Sequence, residues 1–199
     1  MSGNLDNIQG IIFDLDGTLA NTKLNFSAMC AELEIPAGTP LLEYLAGIDD
    51  ACEQARARAV VERHEMQGAE RAEWMPGARD MLQLLHRAGV PMGIVTRNMR
   101  RAACLTVERL GIPIDRMVTR EDCQPKPHPQ GLLQIAADWP MPARDIVYIG
   151  DYKFDLQAAN SANMIACLID NGKNASYASL ADWVISDFSE VTDKVLQRF

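Results

Sequence analysis

The sequence lacks the cysteine patterns of a disulfide-stapled or zinc-binding protein. Its five cysteines are odd in number, and no two of them have CxxC spacing. Neither a disulfide framework nor a structural zinc site is therefore expected. We predict reduced and mostly buried thiols, as in a reducing cytoplasm.

Long apolar runs and a targeting segment are also missing. The first ten residues, MSGNLDNIQG, contain no basic segment followed by an apolar run, so no signal peptide is predicted. The longest clear apolar run, residues 164–169, is far too short to span a bilayer. We expect a soluble, cytoplasmic protein without a membrane partner.

Positive charge is scarce. The chain has 19 Lys and Arg residues against 27 Asp and Glu residues, and its formal net charge is -8. Because an acidic surface repels a phosphate backbone, no nucleic-acid partner is expected, although a local positive pocket for a small anion is compatible with this balance. A chain of 199 residues fits one domain, or one domain with a modest insertion.

Strand and helix patterns alternate along most of the chain. Apolar, β-rich runs predict strands at residues 11–13, 90–95, 117–118, 145–149, 164–169 and 183–185. Helical spacing predicts helices at residues 78–88, 99–110, 130–137 and 154–161, and a last helix to the C-terminus. This alternation is typical of an α/β fold with a doubly wound, Rossmann-like parallel sheet and helices on both faces.

One section does not follow the alternation. Residues 22–74 contain no clear strand and are rich in Ala, Glu, Arg, Leu and Met, with strong helix propensity at 51–68. We predict a small α-helical cap at 22–74, inserted between the core segments 1–21 and 75–199. Such a cap would close over a site, exclude water and select the substrate.

Two carboxylates follow the first predicted strand. Asp14 and Asp16 lie two residues apart, so in extended backbone they point to the same side. One can attack phosphorus, and the other can protonate a leaving oxygen and later activate water. Gly17 would let the backbone approach a phosphate. A polar turn after a strand is the alternative, and it would be favoured for an isolated DxD.

The segment FDLDGTL resembles the first motif of the haloacid dehalogenase superfamily, DxDGTL after a hydrophobic strand. The other motifs of that superfamily follow in order, at Thr96, at Lys126 in KPHP, and at Gly150-Asp151 with Asp155. Phosphoglycolate phosphatase-like enzymes are the nearest group, although the insertion looks shorter than in many of them. The substrate is therefore left open.

The resemblance implies a magnesium-dependent phosphatase with an aspartyl-phosphate on Asp14. Asp16 would be the general acid and base, and its presence favours phosphate esters over halides. Thr96 would hydrogen-bond the phosphate, and Lys126 would neutralise charge. The implied magnesium ligands are the carboxylates of Asp14 and Asp151, the backbone carbonyl of Asp16 and, through water, Asp155.

The chain departs from the superfamily pattern at two places. Asn21 stands where many relatives have Asp, and because Asn can also cap a helix start, we interpret it as a tolerated substitute at the entry to the insertion. In many relatives an Asn directly follows the Thr of the second motif. In this chain Arg97 lies between Thr96 and Asn98. With Gly17, Arg97 and Asn98 are candidates for substrate binding. A solvated or surface-paired arginine is the alternative for Arg97.

Three further interpretations stay open. His64 and Glu65 look like an acid-base pair in the cap, but a solvated helix face is favoured. A phosphotransferase or phosphomutase would keep the aspartyl-phosphate and pass the phosphate to a sugar. A non-catalytic phosphate-binding regulatory module is the alternative from another class. We expect a small phosphorylated metabolite as partner, and a monomer or homodimer.

Overall fold

A parallel six-stranded sheet forms the centre of the computed structural model, which describes residues 5–197. The strands within residues 5–197 are β1 (Gly10–Phe13), β2 (Ala20–Asn21), β3 (Glu73–Trp74), β4 (Met92–Val95), β5 (Arg116–Val118), β6 (Ile146–Gly150), β7 (Ile165–Ile169) and β8 (Trp183–Ile185), and all except β2 and β3 belong to this sheet. The sheet order is β5-β4-β1-β6-β7-β8, and every neighbouring pair is parallel. The predicted doubly wound α/β fold is confirmed.

Within residues 5–197, five helices cover the two faces of this sheet and three others belong to the insertion. They are α1 (Phe26–Glu32), α2 (Leu41–Ala46), α3 (Ala51–Glu70), α4 (Ala78–Arg87), α5 (Arg100–Leu110), α6 (Gln130–Ala137), α7 (Lys153–Ser161) and α8 (Ser189–Val195). The sequence predicts a last helix that extends to the C-terminus. Residues 198–199 of that prediction lie outside the described residues. None of the helices within residues 5–197 is long and apolar enough to cross a bilayer.

Alternation along β1 divides the core into two layers. Ile11 and Phe13 pack with α4, α5 and α8 on one face of the sheet. Ile12 packs on the opposite face with α6 and α7. All four residues of β1 are buried, as expected for a strand covered on both sides. The sheet is therefore a rigid support for the residues that follow its strands.

The helical insertion is joined to the core through a short ribbon. Strand β2 pairs antiparallel with β3, so Ala20 faces Trp74 and Asn21 faces Glu73. Helices α1, α2 and α3 lie between these strands in the chain and share a small core of their own. The small helical cap is thus present, whereas its exact residue bounds stay a prediction. Within the insertion, the sequence pattern indicated only α3.

Asn21 caps no helix, and its interpretation as a tolerated substitute at the entry to the insertion stays a prediction. Asn21 belongs to β2, and its side chain accepts a hydrogen bond from Lys23 N at 3.1 Å. The first helix of the insertion begins later, and Asn25 caps it by accepting from Ala28 N at 2.9 Å. The pairing of β2 with β3 keeps the backbone extended at Asn21.

Helix α3 approaches the segment after β2 very closely. A Cβ atom on Gly68 would lie 2.9 Å from the backbone oxygen of Thr22. Further along α3, Ala69 packs on Met99 and on Ala102 of α5. The end of the longest insertion helix is therefore fixed against the core.

Gly68→Ala tests this close approach. Ala is better than Gly in a helix by about 1 kcal/mol, but overpacking against rigid backbone costs about 1–3 kcal/mol. The balance of these two effects is a loss of roughly 1 kcal/mol, and at most about 2 kcal/mol, in the free energy of unfolding, measured by urea denaturation. Gln67→Ala, on the exposed neighbouring position, is the control. A Gly68→Ala protein as stable as the parent would show that α3 can move away.

Candidate active site

Three neighbouring strands bring the predicted site residues to one edge of the sheet. Asp14 follows β1, Thr96 follows β4, and Asp151 follows β6, and these strands are adjacent in the order β4-β1-β6. Lys126 reaches the same place from the loop after β5. All four line a cavity of about 490 Å³. Ligands of open α/β sheets bind at this carboxyl edge.

Lys126 is the buried cation of the site. Its Nζ atom donates to Asp14 Oδ1 at 2.5 Å, to Asp155 Oδ1 at 2.7 Å and to the Tyr148 hydroxyl at 2.7 Å. The Tyr148 hydroxyl lies 3.0 Å from the carbonyl oxygen of Val95, to which it donates. Burial lowers the pKa of Lys126, but Asp14 and Asp155 raise it above its ordinary value. The side chain is therefore charged at neutral pH.

One lysine does not neutralise the acids around it. Burial raises the pKa of Asp14 well above its usual range, and the nearby Asp155 and Asp151 raise it further against the effect of Lys126. Burial and the charge of Asp155 raise the pKa of Asp151 to about 6. The pocket is thus electrostatically prepared for additional positive charge.

The acids fit a divalent cation. One carboxylate oxygen from each of Asp14, Asp151 and Asp155 lies within 4.8 Å of the others. An all-oxygen donor set suits magnesium and does not resemble the nitrogen and sulfur sets of zinc sites. Gly17 has φ +84°, and a Cβ there would lie 2.5 Å from Asp151 Oδ2. The glycine therefore leaves room for the carboxylate against the turn.

Asp155 is held more tightly than the other two acids. Its Oδ1 accepts from Lys126 and its Oδ2 from Tyr152 N at 3.0 Å. With both oxygens engaged, it is suited to an indirect contact with a cation. Its predicted role through water nevertheless stays a prediction.

Asp16 lies in the same cavity but has different partners. The Thr22 hydroxyl donates to one of its carboxylate oxygens, and the Asn98 side-chain amide donates to the other. Burial raises the pKa of Asp16 to about 6, while these two hydrogen bonds oppose the rise. A pKa near neutrality suits a group that both gives and takes a proton. Asn98, a candidate for substrate binding, thus lies where it positions Asp16.

Thr96 presents its hydroxyl to the cavity from the end of β4. The residue is buried, and its Oγ1 accepts from Asn98 N at 3.1 Å. A hydroxyl that accepts this bond keeps its own hydrogen for donation. Its position is compatible with the predicted hydrogen bond to a phosphate.

Arg97 contacts the insertion. Its Nη2 lies 2.9 and 2.8 Å from the two carboxylate oxygens of Glu43 on α2. It also donates to the carbonyl of Lys126, and its guanidinium lies 4.8 Å from the ring centre of Phe154. Arg97 is thus paired with an acid, as the alternative interpretation of this residue expects. Its predicted contact with the substrate stays a prediction.

Glu65 is neither half of an acid-base pair nor part of a solvated face. It is buried, accepts from Met99 N at 3.1 Å and is paired with Arg120. His64 points elsewhere, to Glu32 Oε2 at 3.0 Å, because adjacent helix residues do not face each other. The favoured interpretation of Glu65 is wrong, since α3 packs on the core at this position.

Several contributors to the site were missed from the sequence. Asn174 donates to the backbone oxygens of Asp151 and Ile169, at 2.8 and 2.9 Å. Thr22 and Tyr148 contact Asp16 and Lys126 as described. A tyrosine within the apolar run IVYIG was a usable signal, because a buried hydroxyl needs a partner. Nothing local distinguished Thr22 or Asn174, whose roles depend on distant contacts.

Comparisons with known proteins agree with this site. Residues 11–169 match the family model described as haloacid dehalogenase-like hydrolase. A haloacid dehalogenase-like hydrolase domain-containing protein of Arabidopsis thaliana is 26% identical over 82% of this chain and 71% of its own length. A phosphoglycolate phosphatase of Xanthomonas campestris is 30% identical over 78% of this chain and 80% of its own.

Solved structures show the same fold. A hydrolase from Pseudomonas syringae superimposes with a TM-score of 0.75 at 22% identity, covering 96% of this chain and 99% of that one. The β-phosphoglucomutase of Clostridium difficile gives 0.72 at 20% identity, covering 96% of each chain. These identities are low, so the structures support the fold alone.

The family match covers the residues of all four motifs. It begins within β1, just before Asp14, and ends at the last residue of β7. Thr96, Lys126, Asp151 and Asp155 all fall inside it. The motif resemblance found in the sequence is confirmed, and the chain belongs to the haloacid dehalogenase-like hydrolase family.

Proposed function

We propose that this hydrolase is a magnesium-dependent phosphatase that acts on a small phosphomonoester through an aspartyl-phosphate on Asp14. One observation carries the proposal. Asp14 and Asp16 share one cavity, yet Asp14 contacts the Lys126 ammonium whereas Asp16 is held by Thr22 and Asn98. The two acids therefore have environments suited to different tasks.

The first step forms the phosphoenzyme. A carboxylate oxygen of Asp14 attacks phosphorus, and the bond between phosphorus and the ester oxygen breaks. Asp16 gives its proton to the departing oxygen, so the organic group leaves as an alcohol. The Lys126 ammonium, 2.5 Å from Asp14, offsets the negative charge that the attacking and transferred groups bring together. Thr96 donates to a phosphoryl oxygen.

The second step restores the enzyme. Asp16, now a carboxylate, takes a proton from water as the water oxygen attacks phosphorus. The bond between phosphorus and Asp14 breaks, and inorganic phosphate is released. A raised pKa of about 6 lets Asp16 exist in both forms near neutral pH.

Magnesium fits the acids at the sheet edge. The carboxylates of Asp14 and Asp151 and the carbonyl of Asp16 would hold it directly, and Asp155 through water. When bound, it supplies the positive charge that phosphoryl transfer requires and that a single lysine does not provide. The raised pKa of Asp151 supports this need for a cation.

Phosphotransfer to a sugar is the nearest alternative. It would use the same aspartyl-phosphate but a hydroxyl in place of water. Measuring free phosphate against phosphosugar product separates the two. A small phosphorylated metabolite as partner, a monomer or homodimer, and a cytoplasmic location also stay predictions.

Metal dependence is tested by chelation. Removing divalent cations should abolish phosphate release, and magnesium should restore it. Asp151→Asn should raise the magnesium concentration for half-maximal activity by roughly tenfold or more, because even indirect metal partners contribute about that much affinity. Asp193→Asn, on an exposed position of α8, is the matched control. Full turnover in metal-free protein would contradict the proposal.

The division of labour between the acids is tested by trapping. Asp14→Asn should abolish turnover and leave no phosphoenzyme, because an amide is a poor nucleophile. Asp16→Asn should still be phosphorylated by an aryl phosphate, whose leaving group needs little protonation, and should then accumulate the phosphoenzyme. General acid-base groups contribute ~10²–10⁴-fold, enough for rapid-quench mass spectrometry to resolve.

Two results would contradict this mechanism. A phosphoryl group found on Asp14→Asn, or on another residue of the unchanged protein, would exclude Asp14 as nucleophile. Phosphate binding without hydrolysis of any phosphomonoester in the presence of magnesium would favour the non-catalytic module.

A further inference from the structure

The cavity has two chemically different ends. Its floor carries the polar residues at the sheet edge, and its opposite wall comes from the insertion. That wall is apolar and consists mainly of Leu24, Phe26, Met29, Leu41, Leu42 and Val61. A phosphate at the floor would therefore direct the rest of a substrate against an apolar surface.

The mouth of the cavity exposes aromatic side chains. Phe26 of α1 is 59% exposed, and Tyr152, in the loop before α7, is 42% exposed. Both line the cavity, together with Phe154. Tyr152 is fixed edge-on to Phe154 and Tyr177, with ring centres 5.1 and 5.3 Å apart. Exposed apolar groups collected around a cavity indicate a ligand site better than scattered ones do.

The cations that line the cavity within residues 5–197 already have carboxylate partners. Lys23 Nζ lies 2.9 Å from Glu73 Oε2, and Arg97 Nη2 lies 2.8 Å from Glu43 Oε2. Lys126 is paired with Asp14 at the floor. A second anionic group on a substrate would have to compete with these acids, at a cost in desolvation.

The volume of the cavity indicates more than a minimal substrate. At about 490 Å³, it falls among the pockets of about 300–1,000 Å³ that hold drug-sized ligands. A two-carbon acid attached to phosphate would leave most of the apolar wall uncovered.

We propose that the substrate is a phosphomonoester whose organic group is uncharged and largely apolar, a branched or longer alkyl group or an aryl group. This inference rests on the proposed phosphatase function and specifies its substrate class. The insertion wall and the aromatic mouth bind the organic group, and the phosphate lies at Asp14. Phosphoglycolate, the substrate that names several relatives, is then a poor substrate of this chain.

Alkyl phosphates give a direct test because their leaving alcohols differ little in chemistry. From methyl to hexyl phosphate, kcat/KM should rise about threefold to fourfold for each buried methylene. Isobutyl phosphate has nearly the shape of phosphoglycolate, with two methyl groups in place of the carboxylate oxygens. We expect its kcat/KM to exceed that of phosphoglycolate by roughly tenfold or more.

Two variants and one control locate the effect. Phe26→Ala should lower kcat/KM for hexyl phosphate by about tenfold, and by less for methyl phosphate, because it removes an apolar contact with the longer chain. Leu133→Ala on α6, which is 45% exposed and outside the cavity, should change neither. Glu43→Gln should raise the rate with phosphoglycolate relative to isobutyl phosphate, since Arg97 loses its carboxylate partner.

The outcomes separate this inference from the proposed function. Hydrolysis of phosphoglycolate as fast as or faster than that of isobutyl phosphate would overturn the substrate class while supporting the phosphatase. If no ester is hydrolysed with magnesium, the proposed function fails, and calorimetry with non-hydrolysable analogues decides the pocket chemistry. Tighter binding of hexylphosphonate than of phosphonoacetate would support the apolar pocket, and equal or weaker binding would overturn it.

Discussion

The contact between the Lys126 ammonium and the acids at the sheet edge is the interaction on which the site depends. Asp14 and Asp155 come from different segments and would repel each other in a buried pocket. Lys126 contacts both within 2.7 Å, and Tyr148 joins this cluster to the backbone of β4. The sheet fixes the segments that carry these residues. Because the buried Lys126 ammonium needs acidic partners, Asp14 and Asp155 are held within hydrogen-bond distance of it. The remaining excess of negative charge is what makes a magnesium site physically reasonable.

A second chain of contacts connects the insertion to the chemistry. Gly68 of α3 lies against the backbone of Thr22, and the Thr22 hydroxyl holds Asp16. From the other side, Asn98 holds the second oxygen of Asp16. Asp16, the proposed acid-base residue, is therefore held between the segment that leads into the insertion and the loop after β4. Packing of α3 thus bears on the position of the Asp16 carboxylate.

The insertion also gives the cavity its mixed character. The polar floor belongs to residues that follow strands, and the apolar wall belongs to the insertion, whose helices share a small core of their own. Membership of the family rests on the floor, where the motifs lie. In our proposal the wall sets the substrate class, so a shared floor does not by itself give this chain the substrate of its relatives.

The sequence by itself determined the fold class and the residues of the floor. Apolar runs followed by Asp14, Thr96 and Asp151 predicted strands whose carboxyl ends meet, and the alternation with helices implied a parallel sheet. These signals are local, because strand periodicity and a strand-end acid are visible within a few residues. Tertiary structure alone decided the rest. Glu65 is buried only because α3 packs on the core, and Thr22 acts on Asp16 only because β2 pairs with β3. Arg97 meets Glu43 across 54 residues of sequence, a contact that no local pattern specifies, since it arises from the packing of the insertion on the sheet.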